Sequence, residues 1–190
     1  MDGDEFRRKL RAAWHFLHDE LNIARSVSTL YSLKIDDEFN AVALDPESEY
    51  KHIYLKAVSR SYYNFLLNDY SIYQFSWSDR YSWRFAYLPN PWIAGVPAAA
   101  ERIQEWEYLE SLGAYDQEEM ALLISEMPYY GSIPAIRFEY SVEQYRELAH
   151  PAAHFHIGRH ADNRWASAKH LNPLTFVMAI MHLTYRDDLA

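Results

Sequence analysis

The fold is decided by the stretch Tyr62–Pro89, YYNFLLNDYSIYQFSWSDRYSWRFAYLP. Every second position in three consecutive segments is aromatic or apolar; these are Tyr63, Phe65, Leu67, Tyr73, Phe75, Trp77, Tyr81, Trp83, Phe85 and Tyr87. A period of two is typical of strands that bury one face. Asn68-Asp69 and Ser78-Asp79 separate the segments and favour turns. The stretch therefore predicts a three-stranded antiparallel meander with one aromatic face, over about residues 61–88.

Two later segments also have the composition of strands. IPAIRFEYS predicts a strand near residues 133–141, and AHFHIG predicts another near residues 153–158. The segment VSTLYSLKI, residues 27–35, fits either a strand or a helix. We expect the aromatic face of the meander to form the core under helices rather than a platform for nucleobases.

Apolar residues at helical spacing predict helices at the N-terminus, in the middle and at the C-terminus of the chain. Asp4 is the expected cap of the first helix, and Asp45 with Pro46 is expected to begin the second. Asn172 and Pro173 are expected to begin the last helix.

Two more middle helices are predicted, one that ends at Gly113 and one over about residues 116–127. No linker, repeat or low-complexity tract interrupts these elements. We therefore expect residues 1–190 to form a single α+β domain, with helices around a mostly antiparallel sheet.

Composition narrows the function classes. The formal net charge is −9, which disfavours non-specific coating of nucleic acid. A protein or a small molecule is therefore a more plausible binding partner than nucleic acid, although nucleic acid is not excluded. The absence of cysteine excludes disulfides, thiol nucleophiles and thiolate zinc sites. The N-terminus has no apolar signal core and no run reaches membrane-spanning length, so we expect a cytoplasmic protein with no membrane contact.

Four histidines and two arginines lie within residues 150–164, HPAAHFHIGRHADNR. If residues 153–157 form a strand, His154 and His156 point to the same side, roughly 6–7 Å apart along the chain. Phe155 and Ile157 then point to the other side, into packing. The two imidazoles are therefore expected to face a cleft or solvent together.

One interpretation of this cluster is a metal site. His154 and His156, with one further ligand, could bind a divalent metal such as Zn, Mn, Fe or Ni. The candidates for the further ligand are His150, His160, Asp162 and Glu139. The spacing H-x3-H-x-H-x3-H is not a standard zinc signature, so the signal is of modest specificity.

Two other interpretations need no metal. One histidine could act as general base and another as general acid, while Arg159 or Arg164 holds a phosphate or carboxylate. This arrangement suits cleavage of a phosphodiester. Alternatively, the histidines are structural and bond the backbone and carboxylates at a sheet edge.

Three segments together resemble a known family. NFLLNDYSIYQFSW with RFAYLPNP, then HPAAHFHIG with a nearby arginine, then LNPLTFVMAIMHLTYRD, resemble the uncharacterised bacterial domain-of-unknown-function family 2290 over about residues 45–190. The matching positions of the histidine stretch are His150, His154, His156, Gly158 and Arg164. YLPNP fits the family's exit pattern loosely, and His160 has no counterpart. The resemblance implies a bacterial source and no established activity.

Two hypotheses about function follow. The first is a histidine-based hydrolase that cleaves a phosphodiester in RNA or a nucleotide, with His154, His156 and His150 as acid–base groups or metal ligands and Arg164 and Arg159 stabilising charge. A defence or toxin–antitoxin context is suggested only by the class of small bacterial proteins. The second is a non-enzymatic interaction subunit in which the histidine cluster is structural.

Overall fold

In the described part of the chain, seven antiparallel strands form one sheet, and their order in the sheet follows the chain. This computed structural model describes residues 1–92, 101, 104–105, 107–109, 111–114, 133–147, 149–158 and 163–185. The strands are β1 Ala24–Val27, β2 Phe65–Leu67, β3 Ile72–Asp79, β4 Ser82–Leu88, β5 Ile136–Ser141, β6 Ala153–Ile157 and β7 Arg164–Ala166. The predicted α+β class is confirmed, as are the meander and the strands near residues 133–141 and 153–158.

Helices cover both faces of this sheet. They are α1 Gly3–His15, α2 Asp37–Ala43, α3 Tyr50–Ser59 and α4 Pro173–Thr184, and a π-helical turn, Phe16–Glu20, extends α1. Helices α1 and α4 contact each other and lie over the aromatic face, whereas α2 and α3 pack around Ile72 and Leu88 on the opposite face. No helix in the described part of the chain is long and apolar enough to cross a membrane.

The aromatic face forms the main core, as its alternation predicts. Phe75 lies opposite Phe85, which lies opposite Phe138, so three rings from neighbouring strands line up across the sheet. All three side chains are fully buried, and Phe176 of α4 packs against Phe75 and Phe85. Burial of rings on three central strands fixes the register, because a shift by one residue would turn them to the opposite face.

Of three predicted helix starts, the structure confirms one and differs from the other two. The side chain of Asp2, not Asp4, caps α1 by accepting a hydrogen bond from the backbone N–H of Glu5, and Asp4 instead pairs with Arg7. The predicted start at Asp45 is wrong, because Asp45 caps a short turn before α3. The predicted start of α4 is confirmed, since Asn172 forms a capping box ahead of Pro173.

The sequence also leads to expectations for residues 27–35, for a helix end at Gly113 and for residues 116–127. Within residues 27–35 only Val27 is in a strand. Residues 107–109 are helical and Gly113 follows with a φ of +75°, a left-handed conformation that suits the predicted helix end. The helix predicted over residues 116–127 lies outside the described residues.

Candidate functional site

The site lies on the sheet face opposite the aromatic core, where polar side chains of neighbouring strands form two rows. In the first row Arg84 of β4 lies opposite Glu139 of β5, which lies opposite His154 of β6. The second row runs from Arg137 of β5 through His156 of β6 to Arg164 of β7. Antiparallel pairing therefore brings six polar side chains, which are distant in sequence, to the same face.

Strand β6 places its two histidines side by side on this face, as the alternation predicts. The side chains of His154 and His156 are 0% and 4% exposed, and their Nε2 atoms lie 3.0 Å apart. On the opposite face Phe155 packs on Phe138, but Ile157 is 39% exposed, so its predicted packing is wrong. Gly158 ends the strand with a φ of +78°, a conformation that favours glycine.

Hydrogen bonding fixes the tautomer of His154. Its Nδ1 lies 2.9 Å from the carbonyl oxygen of Pro151, which can only accept, so this Nδ1 carries the proton and donates. The Nε2 atom of the neutral His154 ring consequently presents a lone pair to His156. At metal sites a histidine ligand commonly donates its other ring N–H to a backbone carbonyl, which fixes the orientation of the ring.

The carboxylate of Glu139 lies beside the Nε2 atoms of both histidines. Its Oε2 atom lies 3.8 Å from Nε2 of His154 and 3.9 Å from Nε2 of His156. Its Oε1 atom lies 2.7 Å from Nε of Arg137, an ion pair that falls short of the directed geometry of a hydrogen bond. One carboxylate oxygen therefore faces the imidazoles while the other is held by a guanidinium.

These three atoms have the spacing of metal ligands. Two ligands about 2.1 Å from a tetrahedral Zn²⁺ lie about 3.4 Å apart, and the observed separations of 3.0, 3.8 and 3.9 Å bracket that distance. Two imidazoles and a carboxylate form the donor set of catalytic zinc sites and of non-haem iron sites, both of which keep positions open. His154, His156 and Glu139 can therefore hold a divalent cation.

Burial keeps both imidazoles neutral near pH 7. It lowers the pKa of His156 to about 4, and the positive charge of Arg137 acts in the same direction. Burial also lowers the pKa of His154, although the hydrogen bond to Pro151 opposes this change. A neutral ring is the form that binds metal, so protons do not compete strongly for this centre at neutral pH.

A wide-mouthed cavity of about 410 Å³, here called the histidine cavity, opens beside these side chains. Its lining consists of Arg137, Glu139, Gln144, Arg146, His150, His156 and Arg164. Three arginines thus face a single carboxylate. In a chain with a net charge of −9, this local excess of positive charge is suited to an anion.

A backbone turn holds His150 at the edge of the histidine cavity. Arg146 and His150 exchange two backbone hydrogen bonds of 2.9 and 2.8 Å, which fold the chain back just before β6. The His150 ring then lies 4.8 Å, centroid to centroid, from the His154 ring in an edge-to-face arrangement. Its Nδ1 atom is buried and has no hydrogen-bond partner among the described residues.

The structure brings together four of the five catalytic candidates named from the sequence, namely His150, His154, His156 and Arg164. The fifth, Arg159, lies outside the described residues, as do His160 and Asp162. Of the two candidates for a third metal ligand that the structure describes, His150 and Glu139, it is Glu139 that forms a potential ligand group with both imidazoles.

Sequence reasoning missed Arg137, Arg146 and Gln144 as parts of the site. Arg137 and Glu139 alternate with Ile136 and Phe138 on a predicted strand, and that period of two could have placed Arg137 beside Glu139. Arg146 and Gln144 carried no such signal, because they lie in an irregular segment whose path depends on the turn at His150.

The comparisons agree with the resemblance found in the sequence. A family model described as "Uncharacterized conserved protein (DUF2290)" matches residues 18–190, a range that includes the whole histidine cavity. No curated protein and no solved structure matches the chain.

Proposed function

The chain belongs to the DUF2290 family of uncharacterized conserved proteins, and we propose that it is a metal-dependent hydrolase that cleaves a phosphodiester. The observation that carries the proposal is the convergence of Nε2 of His154, Nε2 of His156 and Oε2 of Glu139 within 3.9 Å of one another, beside a cavity lined by arginines.

The separation of the two imidazoles favours a metal over a metal-free acid–base pair. In an in-line displacement at phosphorus, the base that activates the nucleophile and the acid that protonates the leaving group lie on opposite sides of the phosphate. The Nε2 atoms of His154 and His156 are 3.0 Å apart, which leaves no room for a phosphate between them. A cation bound to both rings requires only small adjustments of these atoms.

The proposed reaction is hydrolysis at phosphorus. A divalent cation held by His154, His156 and Glu139 would supply Lewis-acid chemistry at this centre. The oxygen of water forms a bond to phosphorus and loses a proton to the solvent, while the ester P–O bond breaks and its electron pair stays with the leaving oxygen. That oxygen takes up a proton, for which His150 at the cavity edge is the proposed donor.

Electrostatics supports an anionic substrate at this position. Arg164 and Arg146 line the histidine cavity next to His156, and a guanidinium binds two phosphate oxygens at once. Arg137 is committed to Glu139 by their ion pair, so its charge offsets the carboxylate rather than the substrate. Negative charge that develops on the phosphate would be stabilised by Arg164 and Arg146.

The alternative, a non-enzymatic subunit with a structural histidine cluster, rests on one observation. Both ring nitrogens of His154 already have partners within the fold, namely the carbonyl of Pro151 and Nε2 of His156. The open cavity in front of His156 favours the hydrolase, because a purely structural cluster needs no such opening. A place in phage defence or a toxin–antitoxin locus stays a prediction.

Metal analysis and a phosphodiesterase screen test the proposal together. The protein is loaded with Zn²⁺ or Mn²⁺, desalted and analysed for metal, then assayed on bis(p-nitrophenyl) phosphate and a short single-stranded RNA. We expect one metal per chain and hydrolysis of at least one probe, and we expect the variant His154→Ala/His156→Ala to lose both. His52→Ala, which changes an exposed histidine on α3, is the control and should keep both.

Two outcomes would overturn the proposal. The first is a double variant that binds metal and hydrolyses the probes as the wild type does. The second is a folded wild-type protein that neither retains a metal after loading nor cleaves either probe. In both cases the structural interpretation of the cluster would stand.

A further inference from the structure

A second cavity of about 410 Å³ lies next to the histidine cavity, on the same sheet face, between β3–β5 and the segment before α2. We call it the serine cavity because hydroxyl and amide groups dominate its polar lining; these residues include Asn40, Ser76, Ser78, Ser82 and Ser141. Glu139 and Gln144 line both cavities, so the two form neighbouring parts of one groove.

Arg84 gives the serine cavity its positive charge. It lies on β4, is half-buried, and forms no hydrogen bond or ion pair with the residues that the structure describes. Its cross-strand neighbour Glu139 is paired with Arg137 instead. A half-buried guanidinium without a carboxylate partner is suited to bind an oxyanion, because an anion would neutralise its charge and occupy its donors.

The positive charges of the two cavities are spread along the groove. Arg84 lies on β4, Arg137 on β5 and Arg164 on β7. Arg84 on β4 and the histidines on β6 are two strands apart, which corresponds to about 10 Å. The groove therefore offers two separate positions for anions rather than one.

We propose that the serine cavity binds a second phosphate group of the same substrate, so that the substrate is a short single strand of nucleic acid. The proposal rests on the proposed hydrolase function, in which the scissile phosphate lies at the histidine cavity. The two phosphates of a nucleoside diphosphate share a bridging oxygen and cannot span two strands. Successive phosphates of an oligonucleotide are separated by a whole sugar, which matches the spacing better.

Two further observations define this substrate class. The hydroxyl groups of Ser76, Ser78 and Ser82 and the amide of Asn40 can donate hydrogen bonds to a phosphate or a sugar. The net charge of −9 repels a long polyanion, so a ligand with few phosphates is favoured over extended RNA or DNA. A dinucleotide with a 5′-phosphate, pApA, is the smallest probe that carries both groups.

The test measures equilibrium binding of pApA, ApA and ADP by calorimetry at low salt, with EDTA present to prevent hydrolysis. The wild type should bind pApA about tenfold more tightly than ApA, since one charge-assisted contact is worth at least that factor. Arg84→Gln should bind the two dinucleotides equally. Arg80→Gln removes the same charge from the exposed β3–β4 turn and should keep the tenfold preference.

Equal binding of pApA and ApA by the wild type would overturn the inference, as would a preference that survives in Arg84→Gln. ADP that binds as tightly as pApA would also overturn it, because adjacent phosphates would then suffice. Thermal unfolding checks that each variant is folded. A wild type that shows the Arg84-dependent preference but no metal-dependent hydrolysis would leave the inference standing as binding and reject only the proposed function.

Discussion

The Nε2 atoms of His154 and His156 lie 3.0 Å apart and are bridged by a single hydrogen bond. Because Nδ1 of His154 donates to Pro151, Nε2 of His154 must accept, and His156 must donate from its own Nε2. If His156 instead turned a lone pair toward His154, the two lone pairs would repel each other unless a cation lay between them. Under the proposed function, a metal ion would replace the proton shared by this pair, and Glu139 would complete the coordination.

The first prediction concerns Glu139 as the anionic ligand. Glu139→Gln keeps the shape of the side chain but removes its charge, so affinity for Zn²⁺ or Mn²⁺ should fall by at least about tenfold. Competition with a fluorescent chelator at pH 7.5 measures the change. Glu143→Gln, an exposed neighbour in the segment after β5, should bind metal as the wild type does. Equal losses in the two variants would refute a ligand role for Glu139.

The second prediction concerns the stability of the metal-free protein at acid pH. His156 has a pKa of about 4 in the folded state, against about 6.5 when unfolded, so the unfolded chain binds more protons between these values. Stability should thus fall as the pH drops from about 6.5 to 4, by up to about 3 kcal/mol. Above pH 7 the His156 ring is neutral in both the folded and the unfolded state, so it no longer makes the stability depend on pH.

Urea unfolding in EDTA at several pH values measures this dependence. Carboxylates with lowered pKa values, such as Asp36, also destabilise the fold in acid, but only near and below their unfolded pKa of about 4. The comparison with His156→Gln between pH 6.5 and 4.5 therefore isolates the histidine. A variant whose stability falls as steeply as that of the wild type would contradict the prediction.

The fold could be predicted from the sequence where burial of one face makes apolar and polar residues alternate along a strand. Phe75 and Phe85 alternate with polar residues, and only one face of the sheet can be buried under α1 and α4, so the meander followed directly. Helix starts were less predictable because several residues can cap the same end. Asp2 and Asp4 both precede the first apolar turn, and their competition is settled by backbone geometry that composition does not contain.

The site could be predicted only in part, for a related reason. His154 and His156 share a face by alternation within one strand, which the sequence shows. The pairing of His154 with Glu139, and of His156 with Arg137 and Arg164, depends on the register between strands. Register follows from packing of the opposite face, so these neighbours emerge only once the sheet is assembled.

The third prediction separates the charge of Arg137 from its packing. Arg137→Gln should raise the pKa of His156, because the repulsive charge is lost and Glu139 is left free to attract a proton. NMR titration of the imidazole signals measures this pKa directly. Arg146→Gln removes a charge from the same cavity that is not among the main causes of the His156 shift, so it should change this pKa less than Arg137→Gln does. A pKa that falls or stays constant in Arg137→Gln would contradict the prediction.

The fourth prediction concerns Asn64, a fully buried amide that joins the segment after β1 to strand β3. Its Nδ2 donates to the carbonyls of Thr29 and Tyr31 at 3.0 and 2.9 Å, and its Oδ1 accepts from the N–H of Phe75 at 2.7 Å. Asn64→Ala leaves all three backbone groups without this hydrogen-bond partner, so the free energy of unfolding should fall by about 2–4 kcal/mol. Asn68→Ala removes one exposed hydrogen bond and should cost less than about 1 kcal/mol. Urea unfolding measures the loss of stability in both variants, from the shift of the midpoint when the slope is unchanged. Similar losses of unfolding free energy in the two variants would show that burial of the Asn64 amide is not what stabilises this junction.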